Sequence, residues 1–137
     1  MYLDHDKKQT KKNAKAFLLN AQRIRFIVES QSFIRSPILS HSPVSHSNIN
    51  PEAVAKMAIK TAEAKEEWEA INEAVNRMNE ERGLMIAKMY LDKNKLSDTD
   101  LYLNMGLSSS AFYNRLDKAL VEFAFCYQGG VLVAWVD

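Results

Sequence analysis

Apolar positions along the chain fall into a succession of helical patterns and end in a run with no helical period. From about Lys7 to Val28, Ala14, Phe17, Leu18, Ala21, Ile24 and Val28 recur on one side, which predicts an amphipathic helix. The pattern then stops. Residues 36–50, SPILSHSPVSHSNIN, are rich in Ser, contain two Pro and two His and carry no charge, a composition that reads as a linker. At Asn50-Pro51-Glu52 a cap, a first-turn proline and an acid announce a long helix over 51–78. Its Val54, Met57, Thr61, Ala64, Trp68, Ile71, Val75 and Met78 alternate three- and four-residue steps, the period of a coiled-coil seam. Asn79 caps a further helix, with Glu80 and Glu81 in its first turn and Leu84, Met85, Ile86, Met89 and Tyr90 as its apolar side.

The segment Leu96 to Phe123, LSDTDLYLNMGLSSSAFYNRLDKALVEF, places two helix starts around a glycine turn. Ser97 caps the first helix, and Asp98 and Asp100 stand where the positive end of the helix dipole favours carboxylates. Gly106 sits where the chain leaving that helix needs a positive φ. Ser108 caps the second helix, whose Phe112, Leu116, Ala119, Leu120 and Phe123 form a stripe to be buried. Ser109, Ser110, Tyr113, Asn114 and Lys118 then point away from that stripe. In a DNA-reading helix-turn-helix, these early positions of the second helix reach base edges in the major groove. An Asn amide pairs bidentately with adenine, serines donate or accept, and a Tyr touches a thymine methyl or a phosphate. The plainer alternative is that the serines only start a helix and the remaining side chains decorate a solvated face.

Charge changes this picture. The formal net charge is +1, but residues 1–35 carry eight Lys or Arg against three acids, whereas residues 97–137 carry two against five. Phosphate neutralisation dominates the affinity of most DNA-binding proteins, so an acidic reading module requires cations from elsewhere. Lys7, Lys8, Lys11 and Lys12 of the N-terminal segment, with Lys95 just before the module, are the expected phosphate contacts. Otherwise, such a lysine run is only a solvated helix face.

The seam of the long helix admits two readings. Trp68, Ile71 and Val75 belong either to a homodimer contact, which would supply the symmetry for two DNA half-sites, or to packing inside one chain. After Gly129-Gly130, the apolar run VLVAWV is expected to fold onto the core or to meet another subunit, with Trp135 as its anchor in either case. The parts are thus a basic N-terminal helix (1–35), a linker (36–50), a long helix (51–78), a three-helix module (79–128) and an apolar tail (129–137), giving an all-α fold.

Several classes are disfavoured. No nucleophile with a base, no paired carboxylates and no phosphate-binding glycine loop has the spacing of an enzyme site. Cys126 is the only cysteine and has no cation close in sequence to make it a thiolate. His41 and His46 lack the companions of a metal set, and neither metal nor cofactor is expected. The charged N-terminus and the absence of a long apolar run lead to the expectation of a cytoplasmic protein without a membrane partner.

Met78 to Phe123 resembles region 4 of sigma-70 type factors, with Met78-Asn79-Glu80-Glu81-Arg82 opening the supporting helix. Asp100 to Gly106 would be the first helix and turn, and Lys118-Ala119-Leu120 with Phe123 the close of the recognition helix. The whole chain, from LDHDKKQTKKNAKAFL through EAINEAVNRM to LSDTDLYLNMGLSSSAFYNRLDKALVEFAFCY, resembles the ArpU family of phage and prophage regulators. That resemblance implies a transcriptional regulator of phage late or lysis genes, with double-stranded DNA as partner and RNA polymerase as a further candidate. It also implies that Ser109, Ser110, Tyr113 and Asn114 face bases and that Lys118 contacts the backbone. Sigma-type helices usually carry Arg, Glu or Gln where Ser109 and Ser110 stand. The rival readings are a small terminase-like packaging protein and an adaptor with a degenerate helix-turn-helix.

Overall fold

The computed structural model describes residues 4–34 and 50–136, which are helical apart from turns and one isolated β-bridge. The Ser/Pro segment lies outside them but for Asn50, as do His41 and His46. The helices are α1 (Lys7–Leu19), α2 (Ala21–Ile34), α3 (Pro51–Arg77), α4 (Glu80–Ile86), α5 (Asp98–Asn104) and α6 (Ser109–Cys126). The chain divides into two compact units, Met1–Gln22 with Ala70–Asp137 and, separately, Arg23–Glu69.

In the first unit, α6 is the central element. Helices α1, α4 and α5 each pack against it. Phe112, Leu116, Ala119, Leu120 and Phe123, the stripe expected from the sequence, are all buried. Ala14 and Leu18 of α1 are fully buried, and the Phe17 ring lies 6.3 Å from Phe123 and 4.6 Å from Tyr127. Each such side chain contributes roughly 1.5–3 kcal/mol on burial, so this aromatic and aliphatic layer fixes α1 along α6.

The expected single helix from Lys7 to Val28 is interrupted at Asn20, whose N–H bonds to the Phe17 carbonyl at 3.0 Å in a tightened last turn. Helix α4 continues into a π-helical turn, Ala87–Leu91, closed by the Asp92 N–H on the Ala87 carbonyl at 2.9 Å. The Gln22 amide donates to the carbonyls of Tyr90 and Asp92 at 2.8 and 2.9 Å, satisfying acceptors that this helix end leaves unpaired. Met85, Ile86, Tyr90 and Leu91 are buried there, but Leu84, expected on the apolar side, is 55% exposed.

Helix α3 starts where the sequence places it, with the Glu52 N–H on Asn50 Oδ1 at 2.9 Å. Its seam is only partly used. Residues 51–60 are all exposed, Val54 and Met57 included, whereas Thr61 and Ala64 of the second unit are buried. In the first unit, Ile71, Ala74 and Met78 are buried within the single chain.

The apolar tail runs antiparallel to the residues before α1. The Asp6 N–H donates to the Ala134 carbonyl and the Val136 N–H to that of Asp4, both at 2.9 Å, around a single bridge between His5 and Trp135. Val133 is its buried residue. Trp135, expected to be the anchor, is 46% exposed and meets His5 and Phe125 in edge-on contacts. Both side chains approach Gly130: a Cβ there would stand 3.6 Å from Val133 Cγ2 and 3.7 Å from Trp135 Cζ2, so the indole lies against the glycine with one edge and leaves much of its ring exposed. No helix among the described residues is long and apolar enough to cross a membrane.

Candidate nucleic-acid interface

Two caps and one turn set the exposed start of α6. Ser97 accepts the Asp100 N–H at 3.1 Å and begins α5. Gly106, at φ 70°, ends it: the Gly106 N–H bonds to the Leu103 carbonyl at 3.0 Å and the Leu107 N–H to that of Tyr102 at 2.9 Å. This is a Schellman closure, which uses two of the carbonyls a helix end leaves unpaired. Two residues later, Ser108 accepts the Ala111 N–H at 3.1 Å and starts α6.

Ser109, Ser110, Asn114 and Lys118 are exposed. Tyr113 is exposed too, but its hydroxyl donates to Asp98 Oδ2 at 2.9 Å. That hydrogen bond, with desolvation and the Asp98 charge behind it, raises the phenol pKa and ties α6 back to the first turn of α5. Tyr113 is therefore a brace between the two helices as well as an exposed side chain.

Asn114 and Lys118 line an open groove of about 940 Å³ whose other wall is the start of α1. Lys7, Lys8 and Lys11 come from α1, Arg82 from α4, and Asp117, Val121 and Glu122 from α6. Five cations thus face two carboxylates, and both carboxylates are already engaged. Lys11 Nζ lies 3.4 Å from Asp117 Oδ2. Glu122 accepts from Arg82 Nε and, at 3.0 Å, from the Asn79 N–H, so it pins the start of α4 to α6. Desolvation pulls the Glu122 carboxyl upward, but the Arg82 and Asn79 hydrogen bonds together with the Arg82 charge outweigh it, and its pKa falls below the ordinary value. Arg115, which does not line this groove, pairs with Glu81 at 2.7 Å.

The remaining expected residues are dispersed. Lys12 and Lys95 are exposed and do not line the groove. Ile71 is fully buried and Val75 lies against Gly83, so two residues assigned to a dimer contact are occupied within the chain; Trp68, in the second unit, is half-buried. Burial and the Glu122 charge raise the Cys126 thiol pKa, and Arg77 opposes this only partly. Such a thiol is a poor nucleophile.

Sequence reasoning overlooked Arg82, Asp117 and Glu122. The signal was present in the spacing of Asn114, Asp117, Lys118, Val121 and Glu122, which places all five on one face of α6.

The unit that carries the groove is an all-helical assembly around α6 with a basic helix beside the exposed start of that helix. No protein-family model, curated protein or solved structure matches this chain.

Proposed function

We propose that this chain is a sequence-specific DNA-binding transcriptional regulator. Its α4, α5 and α6 act as a helix-turn-helix module like sigma region 4, and the start of α6 enters the major groove. The observation that supports this most is the position of the N-terminal lysines. Lys7, Lys8 and Lys11 share a groove with Asn114 and Lys118, so an acidic reading module acquires the phosphate-binding charge that its own segment lacks. The bonded turn through Gly106 and the exposed Ser109, Ser110 and Asn114 are also what base reading requires. The resemblance to the ArpU family suggests phage late or lysis genes as targets and RNA polymerase as a second partner.

Selection of bound fragments from a random duplex pool tests the proposal. One recovered motif is expected, with Asn114→Ala losing about 1–3 kcal/mol of discrimination at a single base pair when binding is followed by fluorescence anisotropy. Equal affinity of the wild-type chain for all duplexes would overturn it.

A further inference from the structure

We infer that the groove between α1 and α6 is the track of one DNA strand's sugar–phosphate backbone. In this inference, Lys7, Lys8 and Lys118 clamp the phosphates, while Asp117 acts as an internal competitor that holds Lys11 back. This rests on the DNA-binding reading above and assigns the groove a part in it.

The argument starts from which charges are committed. Arg82 is bound to a carboxylate that also receives a backbone N–H, so both groups have a structural task at the junction of α4 and α6. Lys11 is paired with Asp117 alone, at 3.4 Å, and both side chains are partly exposed. Among the described residues, no ion pair joins Lys7, Lys8 or Lys118 to an acid. The three uncommitted cations stand on both walls of one open groove, two on α1 and one on α6. A phosphodiester backbone is a linear polyanion, and a groove charged on both walls fits it better than it fits a single compact anion.

Asp117 then has a definite effect. A phosphate entering beside it meets a like charge, and it gains Lys11 only by breaking an exposed pair that is itself weak. Removal of the carboxylate should therefore strengthen binding. Lys12, one residue beyond Lys11, does not line the groove and should make no difference.

The test is the salt dependence of binding to a labelled duplex of fixed sequence, measured with the full chain. Each lysine that neutralises a phosphate contributes about 0.9 to the slope of log affinity against log salt. Replacing Lys7, Lys8 and Lys118 together by Gln should flatten the slope by about 2.7, whereas Lys12→Gln should leave it unchanged. Asp117→Asn should tighten binding and steepen the slope by up to about 0.9. All five positions are surface side chains, and an unchanged helical circular dichroism spectrum in each variant ties the differences to the interface.

A triple variant that binds with the wild-type slope overturns the track, as does an Asp117→Asn chain that binds more weakly; both outcomes leave the DNA-binding reading standing. A wild-type chain that binds no duplex at low ionic strength overturns that reading, and the track with it.

Discussion

Tyr90 carries its phenol into the interior of the first unit. Burial there, with the carboxylates of Asp98 and Asp117 adding to it, pushes the pKa up to about 12. The folded chain therefore keeps a proton that the unfolded chain releases near pH 10. Since the unfolded state binds fewer protons above that point, stability falls as pH rises. The contribution is fully present below pH 10 and is lost by about pH 12, a total of roughly 3 kcal/mol for two pKa units. Urea denaturation at pH 9, 10.5 and 12 should show this loss in the wild type, and a smaller loss in Tyr90→Phe. Identical pH profiles would contradict it. Tyr113 belongs to the same scale but differs in kind: its hydroxyl is engaged with Asp98 at the surface, and its pKa rises mainly through that hydrogen bond. The sequence marks Tyr90 as apolar and Tyr113 as exposed, and both are so. What it does not mark is the Tyr113–Asp98 pair, because a contact across a turn depends on the angle between two helices.

At the scale of elements, Gly83 lies inside α4 where α3 comes closest. A Cβ there would stand 2.8 Å from the Val75 carbonyl oxygen and 3.4 Å from Val75 Cγ1. In a helix free of neighbours, Gly→Ala stabilises by about 1 kcal/mol, so the sign of Gly83→Ala separates propensity from packing. The backbone oxygen of α3 cannot yield as a side-chain tip does. The variant should therefore be destabilised by about 1–3 kcal/mol in urea denaturation, and a stabilised variant would mean that α3 and α4 stand farther apart. Helix starts were legible because capping is local. Asn50, Asn79, Ser97 and Ser108 each accept a backbone N–H within the next three residues. The interruption at Asn20, the π-helical turn before Asp92, the exposure of Leu84 and the need for Gly83 were not legible, since each depends on what a distant helix presents. The seam of α3 shows both cases: its period predicts the burial of Thr61, Ala64, Ile71 and Met78, yet Val54 and Met57 of the same period are exposed.

On the scale of the whole molecule, the groove exists only because the first unit joins both ends of the chain. The exposed face of α6 and the basic character of α1 are each written in the sequence, but their meeting is tertiary. Two anchors hold α1, and they divide its length. Phe17 and Leu18 fix its second half on α6, while the half that carries Lys7, Lys8 and Lys11 is held by the tail. Asn13 donates its amide to the Leu132 carbonyl at 3.0 Å, and buried Thr10 accepts the Ala134 N–H at 3.0 Å. The Asp6–Ala134 and Asp4–Val136 bonds complete the clamp. Removal of residues 131–137 withdraws all four hydrogen bonds and the buried Val133 without touching the Phe17 layer. Hydrogen–deuterium exchange should then accelerate over residues 4–13 and stay slow over 14–22, because opening is local where the anchoring contacts are local. The salt dependence of duplex binding should flatten in the same truncated chain, because an unfixed basic segment neutralises phosphates only at the cost of its own ordering. Base discrimination through Asn114 should persist, because the tail meets α6 at Phe125, about three turns away from Asn114. Unaltered exchange over residues 4–13 would show that α1 keeps its place on α6 without the tail, and would leave the buried Val133 with no part in the interface.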